Sequence, residues 1–425
     1  MIINIITLGC SKNSVDSEVI ASAYQSLGHE VHFESNLDSD IVVINTCSFI
    51  RDAKEESIEE IFLQTERKAL GHNQGVHVVG CLAQRYKKEL REAMPEVDGF
   101  YSFDELPQLI QKQDFDLLTY PERSLSTPSH YAYLKVSEGC DRQCAFCAIP
   151  NIRGKQISKT EEFLLREAAL LAEKGVKELI LIAQDLTNWG VDITKQKNLD
   201  KLLRHLTDVK GIEWIRLHYA YPNNFPYPIL DVMREYSQFC KYLDMPLQHI
   251  NEKVLMSMNR SSTPEKMYKL LYTIREKVPG IALRTTLLSG FPSEGKKEHL
   301  ELLRFVEDIC FDRLGVFAYS PEEGTPAFAL GDPVKEKEKK KRVAEIMQLQ
   351  ESISLKLNKE KVGKTLKIII DNEEDGFYIG RSEFDSPEVD NTVLITTDKP
   401  LLIGNFYNVL IDRADHYDLY GTVKL

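Results

Sequence analysis

Val136–Pro150 reads VSEGCDRQCAFCAIP, and Cys140, Cys144 and Cys147 stand in it with CxxxCxxC spacing. The stretch directly continues a β-rich run, YAYLKVS (131–137), so the cysteines fall in a loop at the C-terminal end of a strand. Further β-rich runs follow: ELILIA (178–183), EWIRLHY (213–219), KYLDMPL (241–247), IALRTTLLS (281–289) and DRLGVFAYS (312–320). Helical patterns such as TEEFLLREAALLAEKG (160–175) and EGKKEHLELLRFVEDI (294–309) lie between them. Six strand–helix units are two short of a closed eight-fold barrel, so an open, partial (βα)6 barrel is expected, with the cysteine loop at its mouth.

Three thiolates so close together limit the chemistry. Structural zinc takes four protein ligands as a rule, and His130 and His205, the nearest histidines, have no zinc-knuckle spacing. A [4Fe–4S] cube held by three thiolates keeps one iron open for a small ligand. The alternative is a zinc site with a remote fourth ligand. Phe146, between the last two cysteines, is placed to cover a cluster or its ligand with an aromatic face.

Upstream, the first ~115 residues alternate strand and helix signals, as in an α/β domain with a mainly parallel sheet. Three cysteines there obey one rule. Cys10 ends IINIITLGC, Cys47 ends DIVVINTC and Cys81 ends VHVVGC, each just past a predicted strand. In a parallel sheet those ends share one edge, where open α/β folds place ligands, so the three thiols are expected to converge. Three unrelated buried cysteines are the alternative. Cys240 and Cys310 lack such context and read as small core hydrophobes.

Residues 117–130 read as a linker, and Asp332–Lys361 as one long, highly charged, solvated linking helix. The last ~65 residues, with KTLKIIID, FYIG, TVLITT and YNVLID, suggest a small β-barrel. GFPSEGKK (290–297) nearly spells a phosphate-binding loop, but Lys297 replaces the required serine or threonine and Pro292 removes an N–H donor, so nucleotide binding is not expected.

The chain has 425 residues, 43% of them hydrophobic, enough to build real cores. Its 53 basic and 65 acidic side chains give a formal net charge of −12. No apolar run is long enough to span a bilayer, and the N-terminus has no basic region of a secretory signal, so a cytoplasmic protein is expected. Clustered cysteines in a reducing compartment then bind metal more often than they form disulfides.

CxxxCxxC on six βα units resembles the radical S-adenosylmethionine superfamily. The resemblance implies that the open iron chelates S-adenosylmethionine and that an electron from the cluster cleaves it to give a hydrogen-abstracting radical. With the second cysteine set and the C-terminal barrel, the whole chain resembles the methylthiotransferases. That family joins an N-terminal domain (here 1–117), a radical S-adenosylmethionine core (126–357) and a TRAM domain (358–425). It implies two [4Fe–4S] clusters, one on Cys140, Cys144 and Cys147 and an auxiliary one, linked to sulfur supply, on Cys10, Cys47 and Cys81. It also implies a low-potential electron donor.

One branch of the family modifies a tRNA adenosine; another modifies the β-carbon of an aspartate in small-subunit ribosomal protein S-twelve. LGCSKNSVDSE (8–18), FIRDAKEESIEEI (49–61) and GRSEFDSPEVD (380–390) resemble the second branch, whereas the tRNA branch reads GCQMN at the first of these. Ser11 and the Gln156–Ile157 pair depart from the commoner pattern and touch no expected ligand. Residues 362–425 hold 12 acidic and 6 basic side chains, which repels RNA backbone and suits a basic protein partner, and the DSPEVD motif favours that reading. The alternatives are a tRNA methylthiotransferase and a non-catalytic metal-binding translation factor. Gln184, Asp185, His218, Gln248, His249, Ser289 and Tyr319 fall at strand ends that face a barrel mouth, without assigned roles.

Overall fold

In the computed structural model, which describes residues 1–424, the N-terminal β-rich runs form a five-stranded parallel sheet. Its strands are β1 (Ile2–Thr7), β2 (Glu30–Phe33), β3 (Ser39–Thr46), β4 (Asn73–Gly80) and β5 (Gly99–Phe100), in the spatial order β2-β1-β3-β4-β5. Helices α1 (Ser11–Ser26), α2 (Arg51–Ala69) and α3 (Cys81–Ala93) carry the crossovers. Side chains alternate across a strand, so the sheet has two apolar faces. Ile3, Ile5 and Val43 pack on Val19 and Ile20 of α1; Val42, Ile44, Val76 and Val78 pack on Ile61 and Leu82 of the other helices. Sequence patterning missed β2, whose EVHF is half polar and lies on the sheet edge, partly buried through Val31 and Phe33.

The second alternation folds as expected into six parallel strands: β6 (Tyr131–Lys135), β7 (Glu178–Ile182), β8 (Trp214–Leu217), β9 (Phe239–Asp244), β10 (Ala282–Ser289) and β11 (Arg313–Ala318). They pair in chain order, leaving β6 and β11 as the two edges of an open sheet. The period of two again separates the faces. Leu179, Leu181, Ile215, Leu217, Leu243 and Leu283 lie under the surrounding helices. The alternate positions turn inward, aromatic or charged at Tyr131, Tyr133 and Lys135, Glu178, Arg216, Tyr242 and Asp244, and Arg284, and aliphatic at Ile180 and Ile182.

The long helix, α4 (Glu336–Lys359), is not the solvated linker expected from its charge. Lys339, Arg342, Ile346, Gln350 and Ile353 recur at three- and four-residue spacing and are buried against the barrel. Lys339 donates to the Tyr319 carbonyl at 2.6 Å, and Arg342 to Glu294 at 3.0 Å. Gly290 must be glycine: its φ is +78°, and a Cβ would stand 2.5 Å from Lys339 Cγ. Glu294 also accepts from the Gly290 N–H and from Ser289 Oγ, so the loop that imitates a phosphate site closes on its own carboxylate.

The C-terminal strands β12 (Thr365–Glu374), β13 (Phe377–Ser382), β14 (Val393–Thr396), β15 (Phe406–Ala414) and β16 (Leu419–Val423) close into a barrel, β12-β13-β14-β16-β15. It docks on the six-stranded core through the DSPEVD segment. Asp385 accepts from Arg313 Nε at 2.8 Å, and Asp390 from Tyr242 Oη at 2.7 Å and Arg284 Nε at 3.3 Å. Ser386 Oγ lies 2.8 Å from His218 Nε2, and Arg381 pairs with Glu178 at 2.8 Å. The DSPEVD acids Asp385 and Asp390 therefore neutralise arginines inside the open barrel and are not part of the acidic surface left exposed.

Residues 117–130 are irregular but not loose. Arg123, 3% exposed, reaches Glu18 of α1 and, at 2.8 Å, Glu167 of the core, and donates to the Tyr133 carbonyl at 2.7 Å. On the other edge of the open sheet, Glu322 beyond β11 accepts from Lys54 of α2 at 2.8 Å and Arg85 of α3 at 2.9 Å. The N-terminal domain is thus fastened at both edges of the open barrel. Arg123→Ala would leave the buried Glu18 carboxylate without a cation and Glu167 with Lys159 alone, and is expected to cost roughly 3–5 kcal/mol, read as a lowered urea midpoint of the full chain.

Candidate active site

β1, β3 and β4 are neighbours, so Cys10, Cys47 and Cys81 leave the sheet side by side. Two glycines let the loops approach closely. At Gly9 (φ +98°) a Cβ would lie 2.8 Å from Cys47 Sγ; at Gly80 (φ +91°) it would lie 2.6 Å from the Thr46 backbone nitrogen. Asn13 ties the three segments together: its Nδ2 donates to the carbonyls of Leu8 at 2.8 Å and Thr46 at 3.1 Å, and its Oδ1 lies 4.0 Å from Cys81 Sγ. Ser57, in the AKEES motif, holds Cys47 by accepting from its N–H and donating to its carbonyl, both at 3.0 Å.

Cys10 is the N-cap of α1 and Cys81 opens α3, so two helix N-termini direct positive ends at these sulfurs. Burial pushes the Cys47 thiol up to about 12 and also raises Cys81, with the nearby Arg153 acting the other way. Bound metal reverses this by replacing the proton.

The CxxxCxxC loop hangs from a two-residue ribbon, Ser137–Glu138 paired antiparallel with Ile157–Ser158, at the end of β6. Gly139, at φ +75°, passes so close to Lys155 that a Cβ would stand 2.2 Å from its carbonyl oxygen. Sulfurs find donors here too: the Arg142 N–H lies 3.4 Å from Cys140 Sγ, and Arg260 Nη1 3.6 Å from Cys144 Sγ. Both guanidiniums also lie over the Tyr221 ring, at 4.2 and 4.5 Å from its centroid. Burial pushes the Cys140 thiol up to about 11 and Cys147 to about 12. Phe146 is half-buried, packed with Leu288, Phe291 and Tyr319 at the barrel mouth.

Arg153, just beyond the loop, joins the two cysteine sets. Its Nε lies 3.3 Å from Cys81 Sγ, Nη2 donates to Asn13 at 2.7 Å, and Nη1 to Asp16 at 2.6 Å and Glu138 at 3.2 Å. Lys135 completes the buried network through Asp16 and Glu138. Burial would lower the Arg153 pKa, but Glu138, Cys81 and Asp16 hold it well above its ordinary value. Donors aimed at sulfur and helix N-termini suit an anionic iron–sulfur cluster, so both cysteine sets fit the groups they would hold. Among the described residues, no group of three His, Cys, Asp or Glu side chains is arranged for a single metal ion.

Of the other strand-end residues, Gln184 donates to Glu138 at 2.6 Å and keeps an unpartnered buried Oε1; Asp185 accepts from Arg142 at 2.8 Å. His218 and Ser289 serve the packing described above. His249 is buried near Glu294, and Tyr319 donates to the Ala327 carbonyl at 3.1 Å. Gln248 holds a left-handed φ of 71° and bridges to Leu287. Cys240 is buried as expected, whereas Cys310 is only partly buried at a helix end. Sequence reasoning passed over Lys12, Asn13, Asp16, Arg142, Arg153, Tyr221 and Arg260. The signal for the first three was present, since Asn13 and Asp16 share a face of a helix that starts at a cysteine.

The fold and the cysteine loop at its mouth define a radical S-adenosylmethionine enzyme. The Radical SAM superfamily matches residues 134–306, the Uncharacterized protein family UPF0004 residues 2–102, and the TRAM domain residues 362–423. A radical S-adenosylmethionine methyltransferase from Kitasatospora setae has the same fold, with a TM-score of 0.57 at 13% identity over 89% of this chain and 80% of that one. The chain is 50% identical to the ribosomal protein uS12 methylthiotransferase RimO of Cytophaga hutchinsonii, over 99% of this chain and 97% of that protein. It is 49% identical to the same-named protein of Flavobacterium psychrophilum (99% and 97%) and 48% to that of Bacteroides thetaiotaomicron (99% and 98%). The chain belongs to the RimO family of methylthiotransferases.

Proposed function

We infer that this enzyme methylthiolates the β-carbon of an aspartate in ribosomal protein uS12. The observation that carries the reading is the meeting of two three-cysteine sets across Arg153, in a chain whose relatives are named for that reaction. Cys140, Cys144 and Cys147 hold the radical-generating [4Fe–4S] cluster, and Cys10, Cys47 and Cys81 the auxiliary one. When bound, the clusters and S-adenosylmethionine supply an electron, a hydrogen-abstracting radical, sulfur and a methyl group. The chain's own residues do the rest. Arg142, through its backbone N–H, and Arg260 donate toward sulfur and frame Tyr221; Arg153 ties Cys81 to the ribbon that carries the CxxxCxxC loop; Phe146 covers the first site with its ring; and the N-terminal domain is fastened at both edges of the barrel.

Residues 1–117, 126–357 and 358–425 act as the auxiliary, radical and TRAM units, a division supported by the matched stretches falling inside these bounds. No helix is long and apolar enough to cross a membrane, and we place the reaction in the cytoplasm, with a low-potential protein as electron donor. The acidic TRAM surface meets the basic substrate through its exposed side chains, Glu373, Glu374 and Asp375 at the β12–β13 hairpin with Asp398 and Asp412, and does not engage RNA directly.

The test is an anaerobic competition. The reconstituted chain, S-adenosylmethionine and a reductant receive uS12 and a tRNA anticodon stem-loop together, and both are read by mass spectrometry. A methylthio group on an aspartate of uS12 is expected; one on the RNA would overturn the reading. In the same assay, Cys47→Ala is expected to retain cleavage of S-adenosylmethionine while losing sulfur insertion. Full methylthiolation by that variant would remove the auxiliary set from the mechanism.

A further inference from the structure

One wall of the barrel lumen is lined by Tyr131, Tyr133, Ile180, Ile182 and Tyr219, with Val15 of α1 against them. One cation enters this wall. Lys12, on the first turn of α1, is 8% exposed, and its Nζ lies 3.0 Å from the centroid of the Tyr219 ring. Among the described residues it forms no ion pair and donates no hydrogen bond, unlike the other buried lysines, Lys135, Lys159 and Lys339, each bound to a carboxylate. A buried ammonium without a counter-charge is costly, and a π-face recovers only part of the lost hydration. Tyr219 holds a left-handed φ of 62°, a conformation kept only where the surroundings demand it, and at this position its ring lies beneath the cation.

Position decides what could complete the site. Lys12 stands two residues from Cys10 and one helical turn before Asp16, which Arg153 and Lys135 connect to Glu138 and the CxxxCxxC loop. The unpaired charge therefore lies on the helix that starts at Cys10, over a barrel tyrosine, and that helix is tied through Asp16 to the ribbon carrying the CxxxCxxC loop. We propose that Lys12 receives the side-chain carboxylate of the substrate aspartate and so presents the adjacent β-carbon to the reaction. This inference rests on the aspartate reading above. It makes Lys12 the residue that selects a carboxylate side chain over a neutral one of the same shape. Arg284 and Arg313 in the lumen are already neutralised by the TRAM carboxylates Asp390 and Asp385, and the buried Arg260 is directed at Cys144 Sγ, which leaves Lys12 as an open charge beside the aromatic wall.

The experiment uses the reconstituted full chain and intact uS12, unmodified and labelled with a fluorophore, in two forms: wild type and with the target aspartate, located by the mass-spectrometric assay, changed to asparagine. Binding is read by anisotropy for the wild-type enzyme and for Lys12→Met, whose absorbance reports that both clusters are loaded. The wild-type enzyme is expected to bind the asparagine form about ten- to a hundredfold more weakly, the size of a lost charge-assisted hydrogen bond. Lys12→Met is expected to bind both forms alike, at the weaker level. If Lys12→Met keeps the preference, or the wild-type enzyme shows none while still methylthiolating uS12, the inference falls and the proposed function stands. Methylthiolation of RNA in the competition would instead take down the proposed function itself.

Discussion

Cys144→Ala is expected to abolish cleavage of S-adenosylmethionine and to lower the iron content of the reconstituted chain from about eight to about four per molecule. Cys144 is the middle of the three loop cysteines and buried, with Arg260 donating toward its sulfur and Tyr221 Oη 3.9 Å away. Alanine removes the sulfur without adding bulk, so the loop keeps its shape: the Ala145 N–H still bonds the Met258 carbonyl at 2.8 Å and the Ala145 carbonyl still accepts from Ala327 at 2.8 Å. The loss is therefore one of chemistry, and the auxiliary cluster should persist as the remaining iron. Iron analysis and product chromatography decide it together. Retained cleavage, or loss of all eight irons, would contradict the assignment of two independent sites.

Arg153→Met has the second largest expected effect, in two measurements. A cationic donor 3.3 Å from Cys81 Sγ favours the more negative, reduced state of whatever the sulfur ligates, so its removal should shift the auxiliary cluster to a more negative potential. The shift is best read by redox titration under electron paramagnetic resonance with Cys140, Cys144 and Cys147 all changed to alanine, which leaves one signal. The same substitution leaves Asp16 and Glu138 with Lys135 as their only charged partner, and is expected to cost roughly 3–5 kcal/mol in a denaturant titration. An unchanged potential with lowered stability would reduce Arg153 to a structural role.

Much of this was legible in the sequence, because it rests on periodicity and on short spacings. Apolar alternation located both parallel sheets, and the rule that each N-terminal cysteine ends a strand placed Cys10, Cys47 and Cys81 on one sheet edge. What escaped depends on distant partners. Nothing in DSPEVD itself says that its acids are buried; Arg284 and Arg313, far upstream, pair with them. The charge of α4 suggested solvent on every side, yet Lys339 and Arg342 were found bonded and buried, which no count of charges distinguishes from exposure. Arg153 could not be recognised as a bridge until the two domains were in contact.

Arg123 at one edge of the open barrel and Glu322 at the other have a thermodynamic meaning beyond attachment. Two domains joined by a single flexible tether unfold one at a time, each with its own midpoint. Here every opening of the pair breaks buried ion pairs on the flank concerned, so the N-terminal sheet and the six-stranded core gain a common melting transition. A mutation in the sheet that never touches the CxxxCxxC loop should accordingly lower the lifetime of the radical site, and loading the auxiliary cysteines with metal should protect the far edge of the barrel from amide exchange.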